Sequence, residues 1–169
     1  MMNHFKLLID SLFYPKKLAA YRLLPIGKTL QYVFILVSAI TIFSFIQFLM
    51  GVSDPSTNIQ GLTEYIEDII WLLYPFAFIL LFLTSTVVIF VRISIYAFVG
   101  IVILKILNRR GEYRHMWRTA SLAITWSTLL SILFSMLQLS STVSTMIGIL
   151  ITIILLVVAS AKYPKIPKK

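Results

Sequence analysis

The sequence predicts an all-α membrane protein: four transmembrane helices with both termini in the cytoplasm, preceded by an N-terminal amphipathic helix at the membrane interface. Three observations predict it. The 169 residues are 59% hydrophobic and 12% charged, against about 45–50% apolar and about 25% charged in an ordinary soluble domain; one core of this size cannot withdraw that much apolar surface from water. Four apolar runs reach or approach the roughly 20 residues that cross a hydrocarbon core of about 30 Å. Finally, 14 of the 15 basic residues fall in three segments that a four-span chain places on one side, which the positive-inside rule makes the cytoplasm.

The first element is a cytoplasmic, interfacial segment over residues 1–28. Within it Phe5, Leu8, Ile9, Leu12 and Phe13 stand at i, i+3, i+4, i+7 and i+8, the apolar stripe of an amphipathic helix. Lys6 and Asp10 take the other side, and Pro15 ends the run. Such a helix suits the inner interface, with Lys16 and Lys17 near anionic headgroups. It serves either as an anchor packed under the bundle or as a docking helix for a partner. A cleaved signal peptide fits poorly, because the lead is long and the apolar run outlasts the roughly 7–15 residues of a signal core.

The transmembrane bundle occupies residues 29–161, with spans at about 29–50, 69–104, 119–139 and 144–161. The first, Thr29–Met50, lies between Lys28 and Gly51. The second follows Glu67–Asp68 and stays apolar from Ile69 to Leu104, about 54 Å as one helix. That exceeds a bilayer, so it must tilt, kink near Pro75 or project into the cytoplasm. The third, Thr119–Leu139, passes through a polar turn, Ser140–Thr145, into the fourth, Met146–Ala161, which is short unless it begins inside that turn. Residues 162–169 form a basic cytoplasmic tail.

Charge placement fixes the orientation. Lys6, Lys16, Lys17, Arg22 and Lys28 precede the first span; Lys105, Arg109, Arg110, Arg114 and Arg118 fill the loop between the second and third; Lys162, Lys165, Lys168 and Lys169 close the tail. The Gly51–Asp68 loop has no basic residue and carries Asp54, Glu64, Glu67 and Asp68. The net charge of +9 is therefore a topology signal and not the polar basic face of a nucleic-acid binder. The partners expected are anionic lipids of the inner leaflet, together with a membrane protein or a second copy of the chain.

Arg92 stands apart from the three basic segments. Measured from Lys105 it lies about 20 Å along the helix, near mid-membrane. If the span ends at Val91, it sits at the inner interface and snorkels. No acidic residue occurs within the four runs, which favours the interface, with Asp10 or a lipid phosphate as partner.

Small residues recur every fourth position on the third span (Thr119, Ala123, Ser127, Ser131, Ser135) and on the fourth (Ser144, Gly148, Thr152). Such a face lets helices approach closely. The favoured reading is an antiparallel hairpin packed through Ala123, Ser127, Ser131, Ser135, Gly148 and Thr152; the other is a hydroxyl stripe along a solute path, with Gln138 at its outer end.

Catalysis has little support. Cysteine is absent, and His4 and His115 lie far apart in cytoplasmic segments. There is no HExxH pair, nucleophile elbow or glycine-rich phosphate loop, and rhomboid-type Ser–His chemistry would need an intramembrane histidine. Glu64, Glu67 and Asp68 read either as a weak cation holder or as a solvated helix start. No catalytic residue, cofactor or metal is expected.

Two stretches resemble a known family. Phe5-Lys-Leu-Leu, Phe13-Tyr-Pro-Lys-Lys, Tyr21-Arg and Pro25-Ile-Gly-Lys-Thr-Leu-Gln-Tyr-Val are similar to the opening of a family of small polytopic membrane proteins of unknown function from Gram-positive bacteria, some labelled maltodextrin utilisation proteins. Tyr113-Arg-His-Met-Trp-Arg-Thr-Ala-Ser-Leu-Ala-Ile-Thr is similar to that family's cytoplasmic lead into its third span. The resemblance implies a Yip-like helical bundle in a bacterial cytoplasmic membrane and brings no established activity or catalytic residue. It draws attention to the cytoplasmic face, where Pro25, Gly27, Lys28, Tyr113 and Trp117 lie. The expected contacts with lipid or partner are Lys16, Lys17, Arg22, Lys28, Arg92, Arg109, Arg110, Arg114, Trp117 and Arg118. The expected class is a non-enzymatic adaptor, assembly factor or regulator of other membrane proteins. The alternatives are an accessory subunit of a sugar or ion permease and a lipid-organising protein.

Overall fold

A computed structural model of the protein describes residues 4–52, 62–137 and 140–165; Asp54, Gln138, Lys168 and Lys169 lie outside the described residues. The elements in order are α1 (His4–Phe13), a 3-10 helix (Pro15–Leu23), α2 (Ile26–Val52), α3 (Leu62–Ile106), α4 (Tyr113–Met136) and α5 (Ser141–Ser160). Four stretches are long and apolar enough to cross a membrane: Ile26–Gly51, Trp71–Ile106, Tyr113–Met136 and Thr142–Ser160. These make the chain a multi-pass membrane protein.

Prolines punctuate the first part of the chain. Leu24, held extended at ψ 143° by the ring of Pro25 behind it, stops the 3-10 helix. The Pro25 carbonyl then accepts from the backbone N–H groups of Lys28 at 3.1 Å and Thr29 at 3.3 Å, which starts α2. Pro75 instead lies inside α3, which continues as one helix of 45 residues. At its far end α3 stops on Asn108, at φ 50°. Asn108 N–H bonds to the Lys105 carbonyl and Arg109 N–H to the Leu104 carbonyl, a Schellman motif in which asparagine takes the left-handed position that usually calls for glycine.

The helices outrun the apolar runs. α4 begins at Tyr113, six residues ahead of the expected Thr119, and α5 begins at Ser141, inside the stretch expected as a turn. Backbone groups gain the same helical hydrogen bonds whatever the side chain, so polarity alone does not end a helix.

Two compact units divide the chain: Val37–Ile89, and Met1–Leu36 with Phe90–Lys169. In the first, Phe45 meets the edges of Tyr74 and Phe78 at ring distances of 6.4 and 5.3 Å, while Trp71, Phe76 and Val87 lie exposed, as lipid-facing side chains would. In the second, α4 is central. Its residues Met116, Ala120, Leu122, Ala123 and Ile124 are buried with Leu7, Leu18, Tyr32, Ile93 and Leu156, and α1, the 3-10 helix and α5 all pack on it.

The orientation of α1 differs from its sequence pattern. Asp10, expected on the outer side, is only 3% exposed; Leu7 and Ser11 are buried with it, whereas Ile9 of the apolar stripe is exposed. The reason is a set of polar bonds that a helical wheel does not contain. Asp10 accepts from Lys17 Nζ at 2.9 Å and from the Tyr21 hydroxyl. Ser11 Oγ bonds to Tyr32 Oη at 3.1 Å, which bonds in turn to Thr125 Oγ1 at 2.6 Å. Trp126 Nε1 donates to the Leu12 carbonyl at 2.9 Å. With its polar edge bonded inward, the helix leaves Ile9 of its apolar stripe outward.

Candidate functional site

Three segments distant in sequence meet at one end of α4. Arg22 closes the 3-10 helix, Arg110 and Glu112 lie between α3 and α4, His115 is in the first turn of α4, and Tyr163 and Pro164 follow α5; together they line a cleft of about 470 Å³. Backbone bonds clasp the segments. Arg110 N–H donates to the Pro164 carbonyl at 2.8 Å, Arg109 Nη1 to the Tyr163 carbonyl at 2.8 Å, and Arg118 Nη1 to the Arg22 carbonyl at 3.0 Å. Gly111 permits the approach: a Cβ there would stand 2.5 Å from Leu104 Cδ1 and 3.1 Å from the Tyr163 ring.

Tyr163 is the pin of this clasp. It is buried, with its hydroxyl 2.7 Å from Thr119 Oγ1 and the Arg22 guanidinium 5.1 Å from its ring centre. Burial pushes its phenol above the usual range, against the opposing pull of Thr119 and Arg22. On the other side of the 3-10 helix Tyr21 is pushed up to about 12, first by burial and then by its bond to Asp10 and the charge of that carboxylate. Glu112 is taken by Arg114 in an ion pair of 2.6 Å, exposed on both sides and so worth little in stability. The cleft is left cationic through Arg22 and Arg110.

The residues singled out from the sequence separate by role. Arg109 and Arg118 serve the clasp. Lys17 is bound to Asp10 and lies 4.0 Å from the ring centre of Tyr14; Asp10 is thus engaged within the N-terminal segment and is not the partner of Arg92. Lys16 lies in the 3-10 helix, its side chain outside the described ones, and Lys28 is half-buried in the first turn of α2. Trp117 is half-buried, its ring tilted against Phe90 at 6.0 Å, and Phe90 is in turn 6.1 Å from Phe34. Arg110 and Arg114 are exposed.

Small residues draw α4 and α5 together. A Cβ at Gly148 would stand 2.9 Å from Ser127 Cβ. Ala123, Ser127, Gly148 and Thr152 are buried, and Ser131 and Ser135 half-buried. The hydroxyls of Ser127, Ser131 and Thr152 donate to carbonyls of their own helices. Beside this contact a second cavity, of about 420 Å³, is lined by Arg92 and Tyr96 of α3, Ser127 and Ser131 of α4, and Ser144 of α5 among others. Arg92 is level there with the first turn of α5, while Lys105 and the basic cleft lie about 20 Å further along α3. Among the described residues, no three His, Asp or Glu side chains gather as a metal site.

A family model described as "Protein of unknown function (DUF1189)" matches residues 51–160. The chain belongs to this family. The DUF1189 match takes in α3, α4 and α5, hence the Arg92 cavity, the α4–α5 contact and the Arg110 side of the cleft. The α1–3-10 segment and Tyr163 lie outside it. No curated protein and no solved structure matches the chain.

Sequence alone does not single out Tyr163, marks Tyr32 only within the stretch that resembles a known family, and marks Ser144 only as one of the small residues at every fourth position. Tyr163 stands between Lys162 and Pro164 in a tail that reads as solvated, and Tyr32 opens an apolar run. Tyr163 carries one signal: it is a large aromatic side chain in an otherwise basic tail.

Proposed function

We propose that this member of the DUF1189 family is a non-enzymatic adaptor, assembly factor or regulator that binds another membrane protein through its basic cytoplasmic face. The observation that carries the reading is the convergence of Arg22, Arg110 and His115 on one cleft, clasped by backbone bonds. A rigid cationic cleft loses little freedom on binding an acidic segment, so its charge is available for recognition. The positive-inside distribution supports a cytoplasmic position for the cleft and for both termini. The resemblance to Gram-positive membrane proteins supports a bacterial cytoplasmic membrane. A solute path along the α4–α5 hydroxyls gains less support, since those side chains donate to their own helices.

Arg110 provides the test. Its side chain is exposed and only its backbone N–H serves the clasp, so Arg110→Glu reverses a charge without removing a structural bond. A photo-crosslinker placed at Lys28, read by mass spectrometry from native membranes, should capture a stoichiometric membrane protein. Arg110→Glu should reduce that capture about tenfold, the effect of losing a charge-assisted contact. Capture of lipid and self-contacts alone, or undiminished capture by the variant, would overturn the reading.

A further inference from the structure

Arg92 and Ser144 take no part in that cleft, and they line the same cavity. Arg92 is an exposed cation on a helix apolar enough to span a membrane. Among the described residues the ion pairs are made elsewhere, by Lys17 with Asp10 and by Arg114 with Glu112. An intramembrane arginine is costly unless it meets an anion or water. Ser144 is an independent observation. It is 4% exposed and its hydroxyl has no hydrogen-bond partner, an uncommon state for a buried polar atom.

The remaining walls define the shape of what would satisfy both. Ile95, Val99, Ile149 and Ile153 make one side apolar. Ser127 and Ser131 spend their protons on the carbonyls of Ile124 and Thr128, so toward the cavity they offer lone pairs and accept hydrogen bonds. The volume, about 420 Å³, falls within the roughly 300–1,000 Å³ of ligand pockets.

We propose that this cavity binds the head of an anionic membrane lipid. Its phosphate lies against the Arg92 guanidinium and accepts from Ser144 Oγ. Its acyl chain follows the isoleucine wall into the bilayer. The accepting serines favour a head that carries hydroxyls, such as glycerol. A choline head would bring a quaternary ammonium beside Arg92. Because Arg92 is level with the first turn of α5, the four-span topology puts this lipid in the outer leaflet, away from the basic segments of the cytoplasmic face.

The test uses the full chain in mild detergent, with lipid retention read by native mass spectrometry. Phosphatidylglycerol should be retained at one molecule per chain and at least about tenfold more strongly than phosphatidylcholine. Arg92→Gln should abolish the preference, Arg92→Lys should keep most of it, and Ser144→Ala should weaken retention a few-fold. Lys105→Gln, exposed in the last turn of α3, should leave it unchanged. Equal retention of the two lipids, an unaltered preference in Arg92→Gln, or a loss as large in Lys105→Gln would overturn the proposal. Excess inorganic phosphate should not displace the lipid. Displacement would assign the site to a free anion and overturn the lipid reading. If Arg92→Gln does not fold, the lipid preference of the unaltered chain and the Ser144→Ala and Arg92→Lys variants decide.

Discussion

Adding a single methyl group at Gly148 tests how α4 and α5 are held. The Cβ of Gly148→Ala would stand 2.9 Å from Ser127 Cβ and 3.3 Å from Ser127 Cα, where carbon atoms at rest keep about 3.5–4.0 Å. Neither atom is the end of a flexible arm, so relief requires the helices to part by about 0.5 Å or more. Overpacking of this kind costs about 1–3 kcal/mol. Alanine regains about 0.8–1 kcal/mol through its better helix propensity, which leaves a net loss of about 1 kcal/mol. Within a bilayer no hydrophobic drive compensates for lost contact between helices, because lipid is as apolar as the interface. Ser127→Gly removes the Cβ that is struck, so the double variant should recover part of the loss, with a coupling of about 1 kcal/mol. Reversible unfolding in mixed micelles, followed by tryptophan fluorescence, measures all four proteins. A Gly148→Ala variant as stable as the parent, or a cycle with no coupling, would refute close contact at this pair.

Two further outcomes are expected. Tyr32→Phe removes the hydroxyl that joins Ser11 to Thr125 and should cost about 1–2 kcal/mol; amide exchange in α1 should rise, and unchanged exchange would mean that α1 is held by other contacts. Tyr21, raised in the folded chain to about 12 from about 10 unfolded, holds its proton more tightly when folded. Its contribution is complete below about pH 10 and is lost as pH rises through about 12. Phenolate absorbance recorded beside α1 release should show this loss, and Tyr21→Phe should remove its share of it. Ionisation of Tyr21 at the ordinary value, or a Tyr21→Phe curve identical to the parent, would count against the buried Asp10–Tyr21 bond.

What the sequence made legible was whatever obeys a period or a length. Four apolar runs became four helices, and the small-residue spacing holds Ser127 and Gly148, which meet where α4 and α5 touch. Helix ends were less legible. Tyr113–Arg118 and Ser141–Thr145 are polar, and hydropathy reads polarity, whereas a helix continues wherever its carbonyls find N–H groups. The inward turn of Asp10 was hidden for a different reason. A helical wheel assigns a carboxylate to water unless its partners are known, and Lys17 and Tyr21 reach it only because Pro15 starts a 3-10 helix that brings them back. The cleft was half legible: its charges stood in the sequence, but the clasp through Tyr163 and Pro164 uses backbone groups that carry no sequence signature.

The Tyr32–Thr125 bond spans 93 positions of the chain, and that separation sets a clock on assembly. At about 5–20 residues per second, translation delivers Thr125 on the order of 5–20 s after Tyr32. Throughout that interval the Tyr32 hydroxyl lacks its later partner, and α1 has no α4 to settle on. The nascent protein therefore passes through a stage in which its first helix, tied only to Lys17, Tyr21 and Tyr32, depends on the lipid surface for the support that α4 later gives. Substitutions that weaken the grip of α1 on lipid would then lower the yield of assembled protein while leaving the finished fold unchanged.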